Sequence, residues 1–342
     1  MKLRIKFITK LLVTPTRSFD IKRRCFMSKY ILKRILGTIP MLLIVSIISF
    51  GIIKLAPGDP VMAYATPQMH KEDLDNLRTE LGLDKPIYVQ YGAWLSKTIK
   101  GDLGYSTVDF RPVKDKVTER IGNTLLLMGI SIMVALIFGI IFGLLSGYYE
   151  NKWIDKIVSV VSYIGISIPS FWFAMMLIVV FSVKLNILPS IGMHSIGKNS
   201  LFDVLIHTIM PAMVLSFQDF AVISRYIRSN IIDEKYEDYV RTARGKGLSE
   251  KVVFGKHILK NSLLPVITIL GMSLPGLISG AFITETIFGW PGMGRLGIQA
   301  IFGFDYPVIM AITLMSSLFL IVGNLISDIL YGMVDPRIKV VS

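Results

Sequence analysis

The sequence predicts an all-α integral membrane protein with six transmembrane helices and both termini in the cytoplasm. Three observations carry that prediction. Of 342 residues, 52% are hydrophobic and the mean hydropathy is +0.59, more apolar surface than a soluble core of this length buries, so lipid is the natural solvent of the excess. Six regions are nearly free of charge over the roughly 20 residues that an α-helix needs to cross about 30 Å of hydrocarbon. The net charge is +13 although only 18% of residues are charged, and the surplus Lys and Arg flank the apolar runs. That is the pattern of topology signals facing an anionic cytoplasmic leaflet rather than of a nucleic-acid surface.

Residues 1–35 read as a basic cytoplasmic tail. Their apolar patch, Phe7 to Val13, is broken by Thr9 and Lys10 and is too short to span. It fits a poor signal peptide, an amphipathic surface arm, or a stretch upstream of a true start at Met27. The last is preferred, because MSKYILKRILG from Met27 is already a complete basic tail leading into an apolar helix. Eleven Lys or Arg against the single acid Asp20 precede the first span, Leu36 to Leu55, and place the amino terminus inside. Residues 56–120, nearly balanced in charge, then lie outside, with Leu74 to Leu81 and Val89 to Ile99 as short helices over the membrane mouth.

Residues 121–334 form the core domain. Its spans are Leu125 to Leu145, Ile157 to Val183, Val204 to Ile223, Leu263 to Ile287 and Val308 to Ser327. Ser167, Pro169 and Ser170 in the middle of the third predict one tilted or kinked helix, since proline removes a backbone hydrogen bond and clashes with the preceding turn. Between the fourth and fifth spans, Arg225 to Lys260 holds nine basic residues against five acids and belongs inside. The loop from Gly289 to Pro307, with only Arg295 and Asp305, belongs outside, and residues 335–342 form a cytoplasmic tail.

Several residues interrupt this plan. Ala135, Gly139, Gly143 and Gly147 recur every four residues and put small side chains on one face of the second span, where a neighbouring backbone can approach closely; the alternative is a lipid-facing helix that happens to contain glycine. Gly276 and Gly280 repeat the pattern more weakly. Gln218 and Asp219 break the fourth span. A carboxylate at that depth faces a cavity or a partner cation, so Asp219 either lines a translocation cavity or forms a structural bridge with Arg225. Glu285 is explained by solvation or helix pairing.

Motifs for catalysis are missing. Gly292 to Gly297 matches GxGxxG but follows no strand and opens no βαβ unit, and no GxxxxGK[ST] occurs, so the chain has no means of cradling ATP phosphates. The histidines, His70, His194, His207 and His257, lack metal-ligand spacing and read as surface or interface residues. The single cysteine, Cys25, excludes an intrachain disulfide and a cysteine cluster.

In YEDYVRTARGKGLSEKVVFGKHILKNSLLP, Tyr236 to Pro265, the residues Tyr239, Val240 and Ala243 share one side of a helix that Gly245 and Gly247 end. Such a helix suits a groove on another protein or the membrane interface. The chain resembles, from Met27 to Ile338, the permease subunits of peptide-type ABC importers. The resemblance rests on YILKRIL (Tyr30 to Leu36), LAPGDP (Leu55 to Pro60), LGLDKPIYVQYGAWL (Leu81 to Leu95), GDLGYS (Gly101 to Ser106), SIPSFW (Ser167 to Trp172), LNILPS (Leu185 to Ser190), DYVRTARGKGLS (Asp238 to Ser249), ETIFGWPGMG (Glu285 to Gly294) and DPRI (Asp335 to Ile338).

The resemblance implies the type I ABC importer permease fold, in the inner membrane, for short peptides. Nickel or metallophore uptake by the same family is the alternative, and a secondary transporter is the rival from another class. The implied partners are a second homologous permease subunit, two cytoplasmic ATPase subunits carrying ATP and Mg, an extracytoplasmic substrate-binding protein and membrane lipid, with no nucleic acid and no cofactor on this chain. Residues 225–262 resemble the coupling loop received by the ATPase, in which Arg241-Thr242-Ala243 stands where the family pattern has Glu-Ala-Ala and Gly247 stands at the expected distance. Tyr239, Arg241, Thr242, Ala243 and Gly247 are its candidate contacts.

Overall fold

The computed structural model describes residues 17–55, 61, 69–80, 82–198, 200–262 and 282–334, and their side chains except at 17–35, 260 and 327–334. Most of the expected fifth span, Gly276, Gly280 and the carboxyl-terminal tail lie outside them. The described residues are helical, apart from loops and one isolated β-bridge between Tyr105 and Pro112. In order, the helices are α1 (Arg17–Leu55), α2 (Lys71–Glu80), α3 (Ile87–Ile99), α4 (Val113–Tyr148), α5 (Trp153–Ser167), α6 (Ser170–Leu177, continued by π-helical turns over Ile178–Lys184), α7 (Leu201–Lys235) and α8 (Asp238–Gly245). Then come α9 (Glu250–Val252, widening to π-helix over Val253–Ile258 and closing with Leu259–Ser262), α10 (Met293–Phe302) and α11 (Tyr306–Val334). Among the described residues, those up to Ile44 form one compact unit and those from Val45 onward a second.

Among the described residues, four helices are long and apolar enough to cross a membrane: Leu36–Leu55 within α1, α4, α7 and Tyr306–Ile326 within α11. The third expected span differs from the kinked helix that its proline predicts. Trp153–Ser167 and Ser170–Lys184 meet at 109°, so the segment is two helices. The cause is local: Pro169 forces the residue before it out of the helical region, and Ile168 is extended at φ −77°, ψ 127°.

The small-residue stripe of α4 has a partner. A Cβ at Gly139 would stand 2.7 Å from Ile223 Cγ2, one at Gly143 2.8 Å from Ile227 Cβ, and one at Gly147 2.8 Å from Ile231 Cβ. Residue numbers rise together on both sides, so α4 and α7 run parallel, with each isoleucine seated over a glycine that has no side chain to displace it. Between α5 and α7, Gly165 meets Ala221 and the hydroxyls of Ser162 and Ser224 bond at 2.9 Å. Because α4 and α7 point the same way, the chain between them must return to the end from which it started, which α5 and α6 accomplish together.

Two apolar cores mark the two ends of this pair. At the end where α4 and α7 begin, Val113 and Val117 pack with Met293, Leu296, Val308 and Ala311 of α10 and α11. At the end where they finish, Ile223, Ile227 and Ile231 pack with Val240 and Ala243 of α8 and with Val253 and Ile258 of α9. Ser46 bonds Tyr91 at 2.8 Å and Phe50 lies edge-on to the Tyr91 ring, which ties the last turns of α1 to α3.

Candidate functional site

Three polar features stand out among the described residues: α8 with its exit turn, the pair Gln218 and Asp219 on α7, and the buried carboxylates Glu285 and Asp305 at the opposite end.

α8 leaves α7 after a two-residue turn and ends in a hydrogen-bonded stop. The Gly247 N–H donates to the Arg244 carbonyl at 2.9 Å, and the Leu248 N–H to the Ala243 carbonyl at 3.4 Å. This is the Schellman arrangement, which requires a left-handed residue at the position after the cap, and Gly247 has φ +77°. Any side chain there strains the backbone although no neighbour obstructs it.

The apolar side of α8 is occupied by the chain itself. Val240 is fully buried and Ala243 is 5% exposed, both against α7 and α9. The expectation that Ala243 faces a groove on another molecule therefore needs correcting: the stripe that suggested docking anchors the helix to its own chain, while Tyr236 and Leu248 at its two ends stay exposed. Tyr239 is half-buried. Its hydroxyl donates to Glu234 and accepts from Asn261 Nδ2 at 3.0 Å, and burial first, then the Glu234 carboxylate, pushes the phenol up to about 12. The outward side consists of Arg241, Thr242, Arg244, Gly245, Lys246, Gly247 and Leu248, all exposed. Of the five candidate contacts, Arg241, Thr242 and Gly247 are thus presented outward, while Tyr239 and Ala243 hold the helix in place. Arg244 pairs with Glu250 at 2.7 Å, which braces the turn between α8 and α9.

On α7, Gln218, Val222 and Tyr226 are exposed at four-residue spacing, so this face of the helix is uncovered. Asp219, half-buried at its edge, has no ion-pair or hydrogen-bond partner among the described residues. The expected alternative, a bridge to Arg225, does not form, because the Arg225 guanidinium lies over the Tyr163 ring at 4.6 Å. A separate cavity of about 330 Å³ between α4, α5, α6 and α7 is apolar, walled by Phe138, Phe142, Phe173, Phe217 and Phe220. Neither Gln218 nor Asp219 lines it.

At the opposite end, Glu285 is fully buried, which rules out solvation as its explanation. It accepts from Thr124 Oγ1 at 2.7 Å and from the Arg295 N–H at 3.1 Å, so its carboxyl caps the amino terminus of α10. The GxGxxG-like run is its cradle. A Cβ at Gly292 would stand 2.3 Å from the Glu285 carboxyl, and one at Gly294 2.6 Å from Phe282 Cα. Asp305, 2% exposed, accepts from Ser106 Oγ at 2.5 Å and from the Thr107 N–H at 3.1 Å, joining the GDLGYS turn to the loop before α11. Nearby, Asp109 pairs with Lys116 at 2.9 Å. Burial pushes its carboxyl up, but hydrogen bonds from Lys116, Ser106 and the Arg111 N–H outweigh that and bring it to about 2. His207 is buried as well, and its Nδ1 donates to the Asp203 carbonyl at 2.8 Å, so it is not the surface residue its sequence context suggested.

Sequence reasoning missed the roles of Glu285 and Asp305. The one available signal was the crowding of glycines after Glu285, which the sequence reading set aside as a nucleotide motif without giving it another role.

Comparisons with known proteins accord with this arrangement. Residues 139–340 match the family described as binding-protein-dependent transport system inner membrane component, and residues 27–128 match the amino-terminal region of such components. The chain is 45% identical to the oligopeptide transport system permease protein AppB of Bacillus subtilis, over 92% of this chain and all of that one. It is 42% identical to a putative peptide permease protein of Brucella suis, over 92% and 100%. It is 39% identical to the glutathione transport system permease protein GsiC of Escherichia coli K12, over 92% and 99%.

Proposed function

The chain belongs to the family of binding-protein-dependent transport system inner membrane components, and on that premise we propose that it forms one half of the path by which short peptides enter the cell, driven by ATP. It is a multi-pass inner-membrane permease subunit and not itself an enzyme. The second half is a similar permease, the fuel is hydrolysed with Mg on two cytoplasmic ATPases, and an extracytoplasmic binding protein delivers the cargo. Relatives named for oligopeptide and glutathione transport support a peptide as that cargo.

The observation that carries the mechanism is the orientation of α8. Its apolar side is committed to α7 and α9, and its polar side stands free at the end where α4 and α7 finish. A helix held this way transmits a push, because displacing it displaces the core beneath it. Arg241, Thr242 and Gly247 are the contact residues in this proposal, and Tyr239 and Ala243 fix the lever to the bundle. ATP closes the ATPases, α8 moves with them, and the bundle shifts between two states of different partner affinity.

Six spans with both termini cytoplasmic complete the proposal. The parallel course of α4 and α7 supports counting α5 and α6 as one crossing, and the expected fifth span, Leu263 to Ile287, lies mostly outside the described residues. Gln218 on the uncovered face of α7 and Asp219 at its edge then face the path between the two permeases, where a carboxylate with no cation partner among the described residues is suited to a peptide's ammonium group.

The test is reconstitution of the complete complex in liposomes with the binding protein outside and ATP inside. Uptake of labelled peptide that requires both is the expected result. Uptake that persists without ATP, or a permease that retains no ATPase on purification, overturns it.

A further inference from the structure

Asp155, at the start of α5, is 3% exposed and accepts four hydrogen bonds. Arg228 of α7 donates two, from Nε to Oδ1 at 2.5 Å and from Nη2 to Oδ2 at 2.9 Å. Ser146 Oγ of α4 donates at 2.6 Å, and the Asn151 N–H of the α4–α5 turn at 2.8 Å. One carboxylate therefore joins α4, the turn, α5 and α7. The turn is shaped for it: Asn151 sits at φ 63°, a left-handed conformation that asparagine tolerates better than most residues.

Two turns farther along α7, Lys235 makes a second tie. Its Nζ donates to the Gly147 carbonyl at 2.6 Å and meets Glu150 Oε2 at 3.3 Å. The carbonyl it takes is one of those left without an intrahelical partner at the end of α4, where a cation is also favoured by the helix dipole. Arg228 and Lys235 are seven residues apart and so share a face of α7. They bracket Ile231, the isoleucine packed on Gly147, and α8 begins only three residues after Lys235.

We propose that Asp155 is a positioning residue for energy coupling: through Arg228 it locks the α4–α5 turn to the last turns of α7, so that movement of α8 is delivered to α4 and α5 as one body. The bidentate carboxylate–guanidinium bond fixes direction as well as distance, which an apolar contact able to slide does not. Without the lock, displacement of α8 bends the end of α7 and is dissipated there. The proposal rests on the reading of α8 as the coupling helix.

The experiment uses the reconstituted complex carrying Asp155→Asn, Arg228→Gln or both. ATPase co-purification, basal ATP hydrolysis and peptide taken up per ATP are measured separately. The expected result is retained ATPases and basal hydrolysis, with uptake per ATP reduced roughly fivefold or more, the scale of a coupling between sites. The double variant should be no worse than either single one, because both remove the same interaction. Assembled complexes with wild-type uptake per ATP overturn the proposal, as do additive losses, which assign the two residues independent structural roles. If Asp155→Asn does not accumulate in the membrane, Lys235→Gln, which cuts the second tie, is judged by the same readout and the same criteria. Failure of the α8 reading has its own signature: Thr242→Trp on the outward side of α8 then leaves ATPase retention and uptake intact, whatever Asp155 does.

Discussion

Ile227 occupies the space that a side chain on Gly143 needs: a Cβ there would lie 2.8 Å from Ile227 Cβ and 2.8 Å from the Ser224 carbonyl oxygen. The backbone of one long helix thus serves as the floor for the side chains of another. Gly143→Ala should cost about 1–3 kcal/mol through overpacking, and Gly143→Leu should prevent accumulation. Ile227→Gly should partly rescue Gly143→Ala, since it removes the Cβ and Cγ2 that the new methyl strikes and leaves only the Ser224 carbonyl in its way. Thermal stability of the purified permease checks both, and equal losses with and without Ile227→Gly would show that the two residues do not compete for one space.

Ala243→Asp should abolish uptake by detaching α8, not by blocking a partner directly. An unpaired carboxylate among Ile227, Ile231, Val253 and Ile258 costs several kcal/mol, so the loop becomes protease-sensitive even in the permease alone. Thr242→Asp, on the outward side, should leave protease resistance unchanged while weakening ATPase retention. Limited proteolysis beside co-purification separates the two effects.

Asp219→Asn should keep assembly and stability and change uptake according to peptide charge, with cationic peptides affected most. The substitution preserves shape and removes the charge, so packing is untouched. Competition assays with peptides of different net charge measure this, and a uniform change across all of them would remove Asp219 from cargo recognition.

Glu285→Ala leaves the Arg295 N–H and the Thr124 hydroxyl without their acceptor, at about 1–3 kcal/mol for each buried group left unsatisfied. Gly292→Ala should be comparably harmful although it removes no hydrogen bond, because the added methyl falls on the same carboxyl. Both should lower the melting temperature, and Glu285→Gln, which keeps an acceptor, should lower it less.

The Asp109–Lys116 pair gives a signed pH dependence. The carboxyl titrates at about 2 in the folded chain and about 4 when unfolded, so its contribution is fully present above about pH 4 and is lost as pH falls to about 2. The stability difference between wild type and Asp109→Asn should shrink over that interval and be flat above it. A difference that instead grew on acidification would reverse the assignment.

Four of the expected spans were legible because apolar length is a local property, and the α4 stripe because a four-residue period is one too. The short helices before α4 were legible for the same reason. The break at Pro169 was visible only as a disturbance, since a 109° turn and a gentle kink share the same proline. The direction of α8 was illegible: an apolar stripe states that something covers it, not whether the cover is lipid, a partner or the chain's own α7. Glu285 was misjudged because its partners Thr124 and Arg295 are distant in sequence or donate through the backbone, and Asp155 was invisible for the same reason, with Arg228 73 residues away.

The isoleucine–glycine contacts between α4 and α7 repeat every four residues, about 6 Å of helix. Intermediate offsets drive a branched side chain into backbone, so the two helices have no continuous sliding coordinate and behave as a single beam. Whatever strokes the transport cycle makes must be taken up at compliant places instead. The elbow at Ile168 and Pro169 is the nearest of these, where no ladder of hydrogen bonds resists rotation, and it sets a division of labour within the permease between a part that carries force and a part that yields to it.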